Sequence, residues 1–168
     1  SFFLEELGHR MEDDERFKLY LTNTLDRYKV PQTKLPLTAS LSKESALALE
    51  VKEMTKILII LGNPPYSVSS DNKSEFIENI MNDYKESVRS EKNIQPLSDD
   101  YVKFLRFAQH KIDQAGRGAI GFITNHSYLD GPIFRGMRES LMKSFDEIYI
   151  YNLHGNSMRR EKCPDGSK

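Results

Sequence analysis

Asn63-Pro64-Pro65-Tyr66 follows an apolar run, Ile57 to Leu61, and a single Gly62. The four residues combine two oxygen acceptors, a stiff backbone and a flat ring, a set suited to group transfer onto a planar amine. An exocyclic amine on a base or amide is a poor nucleophile because its lone pair is conjugated away. To attack a methyl group it must pyramidalise. Two acceptors set against its two hydrogens favour that geometry in the transition state, where stabilisation accelerates a reaction. The Asn63 side-chain oxygen is one acceptor and the backbone carbonyl of Pro64 the other. Proline fixes φ and restricts the residue before it, so Pro64-Pro65 stiffens the path of that carbonyl and adds no competing N–H donor. Tyr66 offers a face for stacking, a contact worth about 1–3 kcal/mol per base in single-strand binders. The plainer alternative is a turn, since Asn-Pro and Pro-Pro pairs are ordinary turn formers.

A strand must deliver this loop, because ligands of open α/β sheets bind at the carboxyl ends of the strands. Strand and helix patterns alternate along the chain, the sign of an α/β layer fold. Ser1 to Leu7 reads as a helical remnant and Phe17 to Leu21 as a short strand. After a loop with Pro31 and Pro36, Ser42 can cap a helix placing Leu47, Val51 and Met54 on one face against the sheet. Ile57 to Leu61 lacks period-two alternation, as expected of a central strand covered on both faces. A polar, mobile loop and a helix are expected over roughly Ser67 to Glu91. Ser98 then caps a helix with Asp99 and Asp100 in its first turn, where carboxylates suit the helix dipole. Tyr101, Leu105, Ala108 and Ile112 follow at helical spacing, and Gly116 ends that helix. Gly118 to Ile123 is a strand, Thr124 to Ser127 a turn, and Pro132 opens a helix bearing Ile133, Met137 and Leu141. A last strand is expected from Glu147 to Leu153, with His154 to Lys168 as a loop or ragged end.

Composition bounds the rest. The chain has 168 residues, 38% hydrophobic and 29% charged, enough for one core. Its net charge of -1 gives no overall positive field to hold nucleic-acid phosphates, so a grip on polynucleotide must come from elsewhere. The longest aliphatic run is far below the ~20 residues that span a bilayer, and no signal-peptide order is seen, so a cytoplasmic chain without a membrane partner is expected. The single cysteine, Cys163, excludes an internal disulfide, and with only four scattered histidines no metal site is expected.

Asn63-Pro64-Pro65-Tyr66 resembles the catalytic motif of the amino-methyltransferases that use S-adenosylmethionine, above all the adenine-N6 DNA methyltransferases. The resemblance continues in Glu15 to Leu25, in Gly118 to Gly131, in Phe134-Arg135-Gly136-Met137-Arg138 and in Asn152 to Asn156. Together these look like the methyltransferase region of fused single-chain restriction-modification enzymes, in which nuclease, translocase, methyltransferase and target-recognition parts share one polypeptide.

The resemblance implies a Rossmann-like S-adenosylmethionine-dependent methyltransferase core. Residues 1–168 would hold strands 3 to 6 of the family sheet. The Gly-rich cofactor loop and the last strand are not recognisable, so a core truncated at both ends is expected, inactive by itself and doubtful in cofactor binding. The implied function is methyl transfer to adenine N6 in a restriction-modification system, with double-stranded DNA presenting a flipped adenine as partner. Asn63, Pro64, Pro65 and Tyr66 carry over as the catalytic set, Asn23 as a contact to the cofactor adenine, and Tyr66 and His154 as nucleic-acid contacts. Tyr101 and Phe104 would lie near the cofactor pocket, although their spacing also reads as core. His126 reads as a turn histidine. The same tetrapeptide resembles that of enzymes methylating glutamine in proteins or guanine in RNA, and a non-catalytic binding module could keep the loop as scaffold.

Overall fold

The computed structural model of the chain describes residues 6, 8, 19–20, 22–26 and 36–153, with the backbone alone for 36–42. Two compact units divide the chain, Ser1–Asn23 with Arg27–Thr55 and Thr24–Asp26 with Lys56–Lys168. The first unit contains helix α1, Pro36–Met54. It begins at Pro36 and not at Ser42, because a proline's fixed φ suits a first helical turn. Ser45 and Ala48 are its buried positions; Leu47 and Val51 are half-buried and Met54, at the helix end, is exposed.

The second unit holds the sheet. Strands β1, Ile59–Gly62, and β2, Ala119–Phe122, run parallel with Ile59 opposite Ala119 and Gly62 opposite Phe122. A parallel pair needs a long crossover, supplied here by α2, Glu75–Ile80, α3, Asn82–Lys85, two short 3-10 turns, and α4, Asp100–Ala115. Gly118 leads into β2 with φ 154°, and a Cβ there would stand 2.3 Å from the Leu58 carbonyl oxygen. Only glycine admits the approach that lets the Ala119 N–H reach Leu58 O at 2.8 Å.

The strand expected to be covered on both faces is not. Ile59 and Leu61 are 68% and 77% exposed, whereas Ile60 and its partner Ile120 are half-buried. Among the described residues the helices cover one face only, so alternation arises from tertiary placement and not from the side-chain pattern. Residues 147–153 form no ladder with any described residue and stay largely exposed. A strand exists through its partner's hydrogen bonds, and that segment pairs with no strand among the described residues. Of the four strands expected, two are formed among the described residues. Of Phe17 to Leu21 only Leu19 and Tyr20 are described, neither in a ladder, and His154 to Lys168 lies outside the described residues.

Helix α4 is the axis of the core. Asp99 is its N-cap, Gly116 ends it with φ 78°, and Tyr101, Val102, Leu105, Phe107, Ala108 and Ile112 are buried along it. Ser98 instead closes the 3-10 turn Gln95–Ser98. Ile77 of α2, Met81 at the link to α3, Tyr84 of α3 and Val88 of the following 3-10 turn join this core. So do Met137 and Leu141 from α6, Arg135–Ser144. Buried Gln109 ties three of these elements. It accepts the Tyr84 hydroxyl at 2.7 Å and donates to Ser140 O at 3.1 Å and Ser144 Oγ at 2.7 Å. A short helix α5, Ser127–Asp130, and a 3-10 turn at Pro132–Phe134 precede α6, occupying the place of the expected turn and early helix. No helix among the described residues is long and apolar enough to cross a membrane.

Candidate active site

Asn63 to Tyr66 leave the carboxyl end of β1 without regular structure. Pro64 is buried, while Asn63 and Pro65 are exposed and Tyr66 is 52% exposed. One proline thus anchors the loop and the groups on either side of it face outward. Among the described residues neither the Asn63 amide nor the Pro64 carbonyl is engaged in a hydrogen bond within the chain. Both acceptors are uncommitted among the described residues. The Tyr66 hydroxyl makes a long contact, 3.5 Å, to the Ile123 carbonyl just past β2. This spans the mouth between the two strand ends.

Behind the loop stands an aromatic row. The Tyr66 and Tyr101 rings lie 5.8 Å apart, tilted by 58°, and Tyr101 in turn lies 6.3 Å from Tyr128 of α5. Such tilted contacts at 4.5–7 Å are favourable ring geometries. Burial, reinforced by the negative charge of Asp99, pushes the Tyr101 phenol well above its usual range, so it stays neutral. The segment after Tyr66, expected to be mobile, is bonded to the start of α4. Ser67 N–H donates to Asp99 Oδ1 at 2.8 Å, and Asp100 Oδ1 accepts Ser70 Oγ at 2.5 Å and Asn72 Nδ2 at 2.9 Å. Lys103 is fully buried. Its ammonium donates to Ser70 Oγ at 3.2 Å and to the Asn72 carbonyl, and pairs with Glu78 Oε1 at 3.2 Å. A cavity of about 490 Å³ lies beside this cluster, lined by Val68, Ser70, Lys73, Gln95 and Lys103 among others.

Residues 7–158, which include this loop and the segments packed behind it, match the Eco57I restriction-modification methylase family. The chain belongs to that family. Solved structures agree with the assignment. A nuclease-deletion mutant of the Type ISP restriction-modification enzyme LlaGI, in complex with a DNA substrate mimic, is 28% identical with a TM-score of 0.69. The match covers 92% of this chain and 13% of that one. The DrdV-DNA complex is 27% identical with a TM-score of 0.66, covering 93% of this chain and 15% of that one. The ATP-dependent Type ISP restriction-modification enzyme LlaBIII bound to DNA is 27% identical with a TM-score of 0.57 and covers 77% and 9%. The chain therefore spans less than a sixth of these structures. Curated protein sequences give no match.

In this methylase chain the four motif residues stand together at the strand end, as the sequence requires of them. Asn23 belongs to the first unit; it is exposed, and its backbone carbonyl accepts Lys52 Nζ at 2.6 Å. It closes no strand among the described residues. His154 lies outside the described residues. His126 precedes α5 beside an Asn125 side chain that accepts the Ser127 N–H at 2.6 Å, a local turn bond. Sequence reasoning missed the supporting role of Asp99. Its acidic type was read as a dipole complement for α4, and only the fold reveals that its oxygen reaches back to Ser67. Among the described residues no group of three or more His, Cys, Asp or Glu side chains converges.

Proposed function

We propose that the chain carries the transfer site of an S-adenosylmethionine-dependent DNA methyltransferase acting on adenine N6 within a restriction-modification enzyme. One observation carries the reading: a Pro-anchored loop with two uncommitted acceptors and an outward ring, at the carboxyl end of a parallel strand in a restriction-modification methylase chain. The parallel β1-β2 pair with its helical crossover supports a Rossmann-like core. Its small coverage of the solved relatives supports a methyltransferase domain, 1–168 forming part of it, inside a longer protein with target-recognition, nuclease and motor parts.

The donor set fits the reaction. Asn63 Oδ1 and the Pro64 carbonyl would accept the two amine hydrogens and hold the nitrogen lone pair toward the methyl donor. Tyr66 would stack on the base after it leaves the duplex, since N6 is out of reach inside the stack. S-adenosylmethionine would supply a methyl group on a sulfonium: the N–C bond forms as the S–C bond breaks, the thioether leaves neutral, and the extra proton on the nitrogen passes to solvent after attack. Asn23 is assigned to the cofactor adenine, and His154 to the nucleic acid. Alignment is the main contribution of the protein, and well-aligned reactants reach effective molarities of about 10⁵–10⁸ M.

The test is methyl transfer by the full-length protein to DNA, RNA and protein substrates, with nucleoside analysis of the product. N6-methyladenine in DNA is expected, falling about 10²–10³-fold in Asn63→Ala, the loss typical of one transition-state hydrogen-bond partner. Methylated glutamine or guanine in its place would move the assignment to those amines. Undiminished transfer in Asn63→Ala would reduce the loop to scaffold.

A further inference from the structure

Ser67 is the first residue after the motif, and both its backbone polar groups are held by the start of α4. Its N–H donates to Asp99 Oδ1 at 2.8 Å and its carbonyl accepts the Asp100 N–H at 3.2 Å. An aspartate at an N-cap ordinarily serves the free N–H groups of its own helix. Asp99 does not: its side chain makes no cap bond to α4 and is committed to the loop. Two residues on, Tyr101 is 2% exposed and packs against the Tyr66 ring from the core side. Its hydroxyl is buried and finds no partner among the described residues. Burying a hydroxyl without a partner is unfavourable. The position therefore uses the ring and not the oxygen.

We propose that Asp99 and Tyr101 are the positioning residues of the transfer loop: Asp99 fixes the backbone at Ser67, and the Tyr101 ring fixes the plane of Tyr66. With its inner face taken by Tyr101, Tyr66 meets a planar substrate on the other. The inference rests on the transfer-site reading above. Asp99 caps and Tyr101 lies in the first turn of a helix whose later turns form the core, so the loop takes its position from a core element of the unit. Misplacing reacting groups by about 1 Å can cost about 10²-fold in rate. The expected defect on losing the brace is therefore in kcat more than in KM.

The experiment uses the full-length protein with Asp99→Ala, Asp99→Asn, Tyr101→Phe and Tyr101→Leu. It reads kcat and KM for methyl transfer to DNA, the melting temperature, and hydrogen exchange at the Ser67 amide. Asp99→Ala is expected to lower kcat by roughly tenfold or more, with KM changed by less than about threefold, as misalignment predicts. The same variant should speed Ser67 exchange by about tenfold or more while amides in the middle of α4 keep their protection. Asp99→Asn keeps an acceptor oxygen and Tyr101→Phe keeps the ring, so both should stay near the unmodified kcat, whereas Tyr101→Leu should fall with Asp99→Ala. If Tyr101→Leu does not fold, the Asp99 pair decides. Unchanged Ser67 exchange in Asp99→Ala would overturn the proposal, as would Asn and Phe variants that lose as much activity as Ala and Leu. An unmodified protein that transfers no methyl group to any substrate defeats the underlying reading instead, and Ser67 exchange then decides the brace.

Discussion

Helix α4 serves two regions built on different principles. Around its middle, side chains bond inwardly: Gln109 joins Tyr84 to Ser140 and Ser144, and Arg106 donates to Ile80 O at 2.8 Å, pairs with Asp83 and lies over the Tyr84 ring. At its amino end, the bonds point outward to a loop whose own acceptors are left open. The first region directs its bonds into the core, and the second, on the proposed reading, presents its acceptors to a substrate. A packed body and an exposed loop are thus joined within a few residues of one helix, which would let the proposed transfer site be both exposed and fixed.

Changes on the two sides should separate activity from stability. The largest effect is expected for Asn63→Ala, with transfer down about 10²–10³-fold and the melting temperature unmoved, because Asn63 is exposed and bonded to nothing within the described chain. A large fall in melting temperature would show that the loop belongs to the packed body after all. Gly118→Ala should do the reverse. Its Cβ would collide with the Leu58 carbonyl and with Ile112 Cδ1 at 2.6 Å, costing about 1–3 kcal/mol or more in urea unfolding. Gln109→Leu leaves the buried Tyr84 hydroxyl without its acceptor and should cost about 1–3 kcal/mol, with a smaller loss pointing to a water that takes over.

Acid should weaken the junction between the regions. Burial alone would raise the Glu78 pKa, but the hydrogen bonds and charges of Lys85 and Lys103 outweigh it and hold the carboxyl below its ordinary 4.5. A carboxylate depressed in the folded state adds stability above its unfolded value, and that stability is lost as pH falls through the folded one. Stability measured against pH should therefore drop below about 4.5, and Glu78→Gln should flatten that limb. The smallest effect is expected at the exposed Lys143–Glu139 pair, 2.7 Å apart on α6. Lys143→Ala should leave the melting temperature unchanged, as solvent-exposed pairs contribute little.

Local backbone features are legible in the chain because they depend on residue type and adjacency. Pro64-Pro65 stiffens a backbone wherever it occurs, Gly116 ends a helix through its own φ, and the spacing of Tyr101, Leu105 and Ile112 marks a buried helical face. The strands were less legible. Ile57 to Leu61 and Glu147 to Leu153 are both rich in apolar residues, yet among the described residues only the first has a partner strand. The role of Asp99 was hidden as well, since an oxygen acceptor serves its own helix or a loop 32 residues away equally well on paper.

What the sequence determined by itself was a loop of acceptors and a ring following an apolar run, which pointed to the family. What the tertiary structure decided was which face of β1 is covered, which proline is the anchor, and which helix end holds the loop. Those depend on hydrogen bonds and contacts between residues far apart in the chain, and no local pattern encodes which distant group will be within reach.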